Sequence, residues 1–290
     1  MRTEKEWTIF MKLIFIRHAE PDYEHDSLTE KGFREAELVA KRAKDWRVSQ
    51  FYCSPLGRAQ ATAAPTLHAH HVSLTTVFPE PAPDVLHKPD PDKAIVYPWL
   101  RELHAPVDTE LHPDHRFIPW DLTPAYFNEH PLLLDKERWR EAELMKHCDL
   151  GNQADWIYER LDGLLALHGY RRDGLCYRTD GTHGTSNDFM KYDGTSVACM
   201  KEADGEEEVL VFFCHLGVMM MMLSHLINTA PHAMLHGFFV PPASVTILSA
   251  EERIPGQAYF RVQTAGDTSH FRLAGEPVSY YGGFAMPFQE

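Results

Sequence analysis

The sequence predicts an α/β fold with a mostly parallel central sheet, helices on both faces of that sheet, and a lid-like insertion. Segments of strand character alternate with segments of helical periodicity along the chain. The two strongest strand candidates, "LIFI" and "EVLVFF", show no polar alternation, which is typical of parallel strands buried on both faces. We predict one domain over 11–290, preceded by an N-terminal extension at 1–10 and interrupted by insertions near 104–152 and 171–208.

The first half of the chain begins with a strand at 13–16 that runs directly into Arg17-His18. A helix should follow over 28–46, because Thr29 is a good N-cap residue. Its apolar face should contain Phe33, Ala36, Ala40 and Ala43. The next elements are a strand at 48–54, a helix at 57–71, a strand at 72–78 and a loop at 79–94.

The second half has a weakly patterned segment at 104–152. A connection of that length is usually a binding insertion, so we expect a lid over the strand ends, with an apolar wall from Trp120, Tyr126 or Phe127. Asp-Gly pairs in the segment 171–208 predict exposed hairpins. The remaining elements are a helix at 154–170, a strand at 208–215, a buried helix at 217–227 and an antiparallel pair at 243–253 and 259–267.

Composition limits the partners of the protein. A net charge of -14 over 290 residues disfavours nucleic acid and anionic membranes as partners. The chain lacks an apolar run of the ~18 residues that span a bilayer, and its start lacks the apolar core of a secretory signal. Five widely spaced cysteines favour reduced thiols, so we expect a cytoplasmic protein. The sequence leaves open whether the protein forms a homo-oligomer.

Basic residues follow three predicted strands at the point where each strand ends. Arg17 and His18 follow the first, Arg58 lies in the turn after the second, and His215 ends the strand "VLVFFC". Ligands of parallel sheets bind outside the carboxyl ends of the strands, so these side chains should share one pocket. The helix that starts near Gly217 would add N–H donors. Arginine forks and N–H groups suit a phosphate group, and we expect a small phosphorylated substrate.

Five segments carry a resemblance to a known family. "LIFIRHAE", "LTEKG", "CSPLGRAQATA", "LREL" and "FFCHLG", in this order, resemble the histidine phosphatase superfamily, also called the phosphoglycerate mutase-like family. The resemblance implies that His18 is the nucleophile that becomes phosphohistidine. It also implies that Arg17, Arg58 and His215 hold the phosphoryl oxygens and that Glu102 donates the proton, with no metal and no cofactor. Glu110 and Glu80 are the alternatives for the proton donor.

Departures from the family pattern favour a phosphatase over a mutase. The chain has Glu24 near the place of a substrate-binding Asn, and "ELHAP" replaces the arginine pair that follows the catalytic acid in mutases. We therefore expect a metal-independent phosphomonoester hydrolase. Three alternatives stay open: a mutase-type phosphotransferase, a catalytically idle phospho-ligand binder, and a metallohydrolase that uses the histidine-rich segments. The histidines of "HAHH" at 68–71 and "HPDH" at 112–115 are interpreted as solvated or packing residues.

Overall fold

The computed structural model describes residues 10–75, 89–179, 207–254, 256–283 and 285–289. The strands in that part of the chain are β1 (Phe10–Arg17), β2 (Pro21–Asp22), β3 (Ser27–Leu28), β4 (Gln50–Cys53), β5 (Ser73–Leu74), β6 (Lys93–Val96), β7 (Arg171–Asp173), β8 (Cys176–Arg178), β9 (Glu207–Cys214), β10 (Val245–Ile254) and β11 (Gln257–Asp267). The α-helices are α1 (Glu30–Ala43), α2 (Gly57–Ala69), α3 (Pro124–Glu129), α4 (Leu150–Leu167), α5 (Leu216–Leu226), α6 (Pro231–Gly237) and α7 (Ser269–Ala274). Short 3-10 helices lie at Pro98–Leu100, Pro131–Leu134, Trp139–Glu141 and Glu143–His147.

The central sheet is mixed. Its strand order is β5-β6-β4-β9-β1-β10-β11-β8-β7. The five strands from β5 to β1 run parallel to one another, whereas β10, β11, β8 and β7 continue the sheet in antiparallel pairings. The predicted fold class is therefore confirmed, and the predicted antiparallel pair near the C-terminus is β10 and β11. Outside this sheet, β2 and β3 form a small antiparallel pair.

Two apolar cores cover the two faces of the sheet, because successive side chains of a strand point to opposite faces. On β1, Leu13 and Phe15 belong to one core, and Ile14 and Ile16 belong to the other. The first core includes residues of α4 and α5, and the second includes residues of α1, α2 and α7. The five parallel strands thus lie between two helical layers, which gives the nonalternating apolar sequence of β1 and β9.

Several local predictions are confirmed and others are wrong. Thr29 caps α1, because its hydroxyl accepts the N–H of Gly32 at 3.0 Å. Phe33 was predicted on the buried face of α1 but is 50% exposed, since the buried face is formed by smaller residues such as Ala36 and Val39. Within the strand predicted at 72–78, β5 covers Ser73–Leu74, and residues 76–78 lie outside the described residues. β6 begins at Lys93, inside the loop predicted at 79–94.

The predicted N-terminal extension and the second insertion lie largely outside the described residues. β1 begins at Phe10, one residue before the predicted domain boundary. Of the predicted hairpin turns, the one at Asp173-Gly174 joins β7 to β8, with Gly174 at φ +60°. The others lie in 180–206, outside the described residues.

The segment 104–152 packs into the first apolar core. Phe127, Leu133, Trp139 and Leu144 are buried in the same cluster as residues of α4 and α5. The Trp139 N–H donates to the Asp135 carbonyl at 3.0 Å, which joins the start of one 3-10 helix to the residue that ends the helix before it. The segment is therefore part of the folded core, and its action as a lid stays a prediction.

Neighbouring leucines in this segment test its contribution to stability. Leu133 is 0% exposed, whereas Leu134, in the same 3-10 helix, is 46% exposed. Leu133→Ala should lower the free energy of unfolding by about 2–5 kcal/mol, because it leaves a cavity in the core. Leu134→Ala is the matched control and should change it by about 0.5 kcal/mol or less. Denaturant unfolding measures both, and equal effects would show that the segment is not anchored through Leu133.

Candidate active site

The candidate site is built at the carboxyl ends of three adjacent strands. β4, β9 and β1 lie side by side, with Arg17 in register with Cys214 and Cys53 in register with Phe213. Backbone bonds continue one residue further, from His18 N–H to the Cys214 carbonyl and from Ser54 N–H to the Phe213 carbonyl, both at 2.9 Å. The sheet thus brings the sequence-distant residues that follow these strands to one edge.

His18 is held as a neutral ring with one free nitrogen. Its Nδ1 lies 2.8 Å from the Ala19 carbonyl oxygen, which can only accept, so Nδ1 carries the proton and Nε2 carries a lone pair. Burial, with help from the charge of Arg17, lowers the pKa of His18 to about 3. His18 is only 1% exposed. Its ring is therefore more enclosed than a ring on a solvent-exposed turn would be.

Arg17 is buried, and no carboxylate among the described residues is hydrogen-bonded to it. Its Nη1 donates to the Val240 carbonyl at 2.8 Å, and its Nη2 donates to the Tyr281 carbonyl at 3.2 Å. Burial lowers the pKa of the guanidinium, and the charge of Glu102 acts in the opposite direction. The two carbonyls come from different parts of the chain, so the orientation of Arg17 depends on both.

Arg58 lies in the first turn of α2 and is oriented by Asp26. Arg58 Nη1 donates to Asp26 Oδ1 at 2.6 Å, and Gly57 N–H donates to Asp26 Oδ2 at 2.7 Å. Gly57 allows this close approach, because a Cβ at that position would lie 2.2 Å from the Asp26 carbonyl oxygen. The ring of Tyr23 lies 5.1 Å from the Arg58 guanidinium carbon.

His215 precedes α5 and faces the ring of His18, with 5.1 Å between the ring centroids. Its Nε2 lies 2.7 Å from Ser54 Oγ. The N–H of Leu56 donates to the same Oγ at 3.2 Å. Burial lowers the pKa of His215 well below its ordinary value, and the neighbouring His18, Arg58 and Arg17 act in the same direction. Both histidines are therefore neutral beside two arginines.

Glu102 lies beside the N-terminus of α5. Its Oε1 accepts the N–H of Leu103 at 2.9 Å and the N–H of Val218 at 3.2 Å. Gly217 makes room for this carboxylate, because a Cβ there would lie 2.5 Å from Glu102 Oε1. The N–H of Val218 therefore donates to Glu102. Gly217 is predicted to bind phosphate because it lies at the start of the helix, and that role stays a prediction.

Three buried nitrogen atoms at the site have no hydrogen-bond partner among the described residues: Arg17 Nε, Arg58 Nε and His215 Nδ1. Buried polar groups in folded proteins usually have a hydrogen-bond partner, so these three N–H groups are available to a ligand. The two arginines influence each other and both histidines electrostatically. A cluster of cations with unpaired N–H donors can bind an oxyanion such as phosphate.

The C-terminal segment 277–283 lies across the site. Ser279 Oγ donates to Glu20 Oε2 at 2.8 Å, and the ring of Tyr281 lies 5.6 Å from the ring of Tyr23. Gly282, at φ +80°, passes so close to Arg17 that a Cβ there would lie 3.1 Å from Nη2. The left-handed backbone and the close approach both favour glycine at this position.

Sequence reasoning missed the residues that orient the site. Asp26, Ser54, Tyr23 and Tyr281 were not predicted to take part. Asp26 and Ser54 lie near predicted site residues in the sequence, but a short acid or hydroxyl beside a turn is an ordinary turn residue. Tyr281 is more than 200 residues away from Arg17, so no local signal relates them.

The alternative assignments fare differently. Glu110 is an exposed residue of the segment 104–152, and Glu80 lies outside the described residues. In the described part of the chain, no three His, Cys, Asp or Glu side chains are grouped so that they could hold a metal ion. None of the described helices has the length and apolar character needed to cross a membrane.

Solved structures that share features with this chain include "Mycobacterial hydrolase 2", with 16% identity, a TM-score of 0.47, and coverage of 92% of this chain and 97% of that one. A mycobacterial glucosyl-3-phosphoglycerate phosphatase has 14% identity and a TM-score of 0.48, and covers 89% and 100% of the two chains. Phosphoserine phosphatase from Entamoeba histolytica has 16% identity and a TM-score of 0.46, with coverage of 90% and 98%. Among curated protein sequences, none matches this chain significantly.

A family model also matches part of the chain. The description of that model is "Histidine phosphatase superfamily (branch 1)", and it matches residues 13–78. The matched part contains Arg17, His18 and Arg58 and also the helix-capping segment "LTEKG". The resemblance to the histidine phosphatase superfamily that the sequence motifs indicate is therefore confirmed over these residues.

Proposed function

We propose that the protein is a phosphomonoester hydrolase that acts through a phosphohistidine intermediate on His18. The match to the histidine phosphatase family model over residues 13–78 supports phosphatase or phosphotransferase activity in general. The observation that carries the proposal is the state of His18, whose neutral ring has a free Nε2 beside two buried arginines. A neutral imidazole nitrogen is a nucleophile, and the arginines attract the dianion that it attacks.

In the first half-reaction, His18 Nε2 attacks phosphorus and the bond from phosphorus to the alcohol oxygen breaks. Glu102 gives its proton to the departing oxygen, so the alcohol leaves in its neutral form. The guanidinium groups of Arg17 and Arg58 offset the charge on the equatorial oxygens. The unpaired Nε atoms of both arginines are available for this task.

In the second half-reaction, water attacks the phosphohistidine and the bond between phosphorus and nitrogen breaks. Glu102 now takes the proton of the water, which restores both residues and releases phosphate. Glu102 has one oxygen bonded to backbone N–H groups, which fixes the carboxyl group while its second oxygen exchanges the proton.

His215 acts as a hydrogen-bond donor to the phosphoryl group in this proposal. The Ser54 hydroxyl accepts from Leu56 N–H and can therefore direct its own hydrogen to His215 Nε2. The proton of His215 then lies on Nδ1, the nitrogen without a partner. Ser54 is thus a positioning residue that selects the tautomer able to bind an oxyanion.

The residues of the site favour hydrolysis without a metal ion. They also favour hydrolysis over mutase chemistry. Arg17 and Arg58 supply the positive charge that a metal ion supplies in other phosphoryl-transfer enzymes. Aromatic rings lie against both groups, with Phe239 5.9 Å from Arg17 and Tyr23 5.1 Å from Arg58. The bisphosphorylated intermediate of a mutase needs further basic groups at these places. The sequence "ELHAP", which begins at Glu102, does not provide them either.

His18→Asn tests the nucleophile. The variant should lose at least about 10³-fold in kcat, because the attacking nitrogen is gone while a side chain of similar shape remains. Rapid quench of the wild-type protein with ³²P-labelled substrate should trap acid-labile, base-stable phosphate. His68→Asn, at an exposed histidine of α2, is the matched control and should keep wild-type activity. Trapped phosphate in His18→Asn would contradict the proposal.

Glu102→Gln tests the proton donor. Hydrolysis of an alkyl phosphate should fall by about 10²–10⁴-fold, because an alkoxide must be protonated as it leaves. Hydrolysis of p-nitrophenyl phosphate should fall much less, since its leaving group needs little protonation. Glu110→Gln serves as the control at the rival carboxyl group. Equal losses on both substrates would assign the proton transfer to another residue.

The ionisation of His18 can be observed directly by NMR. With a pKa of about 3, the ring loses its proton far below neutral pH and stays neutral as the pH rises above that value. The His18 imidazole resonances, identified by their loss in His18→Asn, should therefore be constant between pH 8 and pH 5. A titration midpoint at the ordinary histidine value of about 6.5 would mean that the nucleophile is protonated in weak acid.

A further inference from the structure

A cavity of about 900 Å³ opens beside the candidate active site. Its wall comes from three parts of the chain: the segment 104–152, the helices α5 and α6 with the residues that follow them, and the C-terminal residues. We call this cavity the apolar chamber. The apolar side chains of its wall include Trp120, Leu216, Leu235, Phe238, Phe239 and Met286. Of the three aromatic residues predicted from the sequence, Trp120 lines the chamber, whereas Phe127 is buried in the core.

The chamber borders the oxyanion site. Leu216 directly follows His215 in the chain, and Phe239 has its ring 5.9 Å from the Arg17 guanidinium carbon. Gly282 also lines the chamber, and it is the residue whose Cβ would lie 3.1 Å from Arg17 Nη2. A phosphate ester bound at Arg17 can therefore extend its alcohol portion into this space.

The charges in the chamber wall select against an anionic alcohol portion. Arg116 is ion-paired with Asp121, so its charge is already compensated. Asp114 adds a second carboxylate to the wall. A substrate carboxylate would meet these acids and the apolar rings together, which costs desolvation without an ionic partner. The wall thus favours an uncharged organic group.

We propose that the substrate is a phosphate monoester of a bulky, uncharged and largely apolar alcohol. This inference rests on the proposed phosphatase function and specifies its substrate class. Pockets for drug-sized ligands occupy roughly 300–1,000 Å³ and are mostly apolar, so the chamber has the size and character for such a group. A small hydroxy-acid phosphate would leave most of this volume unfilled.

A homologous series of linear alkyl phosphates tests the substrate class. Ethyl, butyl, hexyl and octyl phosphate have leaving groups of nearly equal basicity, so differences in kcat/KM report binding of the chain and not the chemical step. The value should rise by about two- to fourfold for each added methylene, because each buries apolar surface. Glycerol 3-phosphate, with a polar alcohol portion, should be a poorer substrate than octyl phosphate.

Two phenylalanine variants localise the effect. Phe238→Ser should lower the octyl-to-ethyl ratio of kcat/KM at least fivefold, since it removes apolar wall from the chamber. Phe33→Ser is the matched control on α1, outside the chamber, and the two side chains are 43% and 50% exposed. The control should leave the ratio unchanged, and circular dichroism checks that both variants are folded.

The outcomes separate this inference from the proposed function. Release of phosphate from p-nitrophenyl phosphate with a flat alkyl series, or with glycerol 3-phosphate as the better substrate, overturns the apolar substrate class alone. An unchanged octyl-to-ethyl ratio in folded Phe238→Ser also overturns it. Absence of phosphate release from every ester by the wild-type protein overturns both proposals.

Discussion

The burial of Arg17 is the constraint on which the rest of the site depends. A guanidinium removed from water must be compensated by hydrogen bonds, and here two backbone carbonyls provide them, from Val240 and Tyr281. These carbonyls lie after α6 and near the C-terminus, so the chain must return twice to the end of β1. Burial, together with this positive charge, lowers the pKa of the adjacent His18, so the packing of the arginine is coupled to the neutral state of the histidine ring.

The second arginine and the carboxyl group are held by equally specific contacts. Asp26 binds both the Arg58 side chain and the N–H of Gly57, so one carboxylate fixes the side chain and the start of its helix. Glu102 similarly binds the N–H of Val218 at the start of α5. Both helices begin with a glycine or have one in the first turn, because a Cβ would collide with the group that approaches. Preorganisation of this kind lowers the cost of orienting charged groups during a reaction.

The segment 104–152 contributes both to the core of the protein and to the wall of the apolar chamber. Its central part is buried with α4 and α5, whereas the part around Trp120 forms one wall of the apolar chamber. Packing of one face therefore orients the other. Together with the C-terminal residues, the segment surrounds the space next to the oxyanion site, and in the proposed function this space receives the alcohol portion of the substrate.

The sequence by itself determined the α/β fold class and the meeting of Arg17, His18, Arg58 and His215. Both follow from local pattern, because buried parallel strands have nonalternating apolar sequences and their carboxyl ends lie at one edge of the sheet. Only the tertiary structure decided that Asp26, Ser54 and Tyr281 orient these residues and that apolar side chains form the chamber. The sequence around these residues does not indicate the contacts. The distances between the residues depend on how the loops and the C-terminal segment pack on the finished sheet.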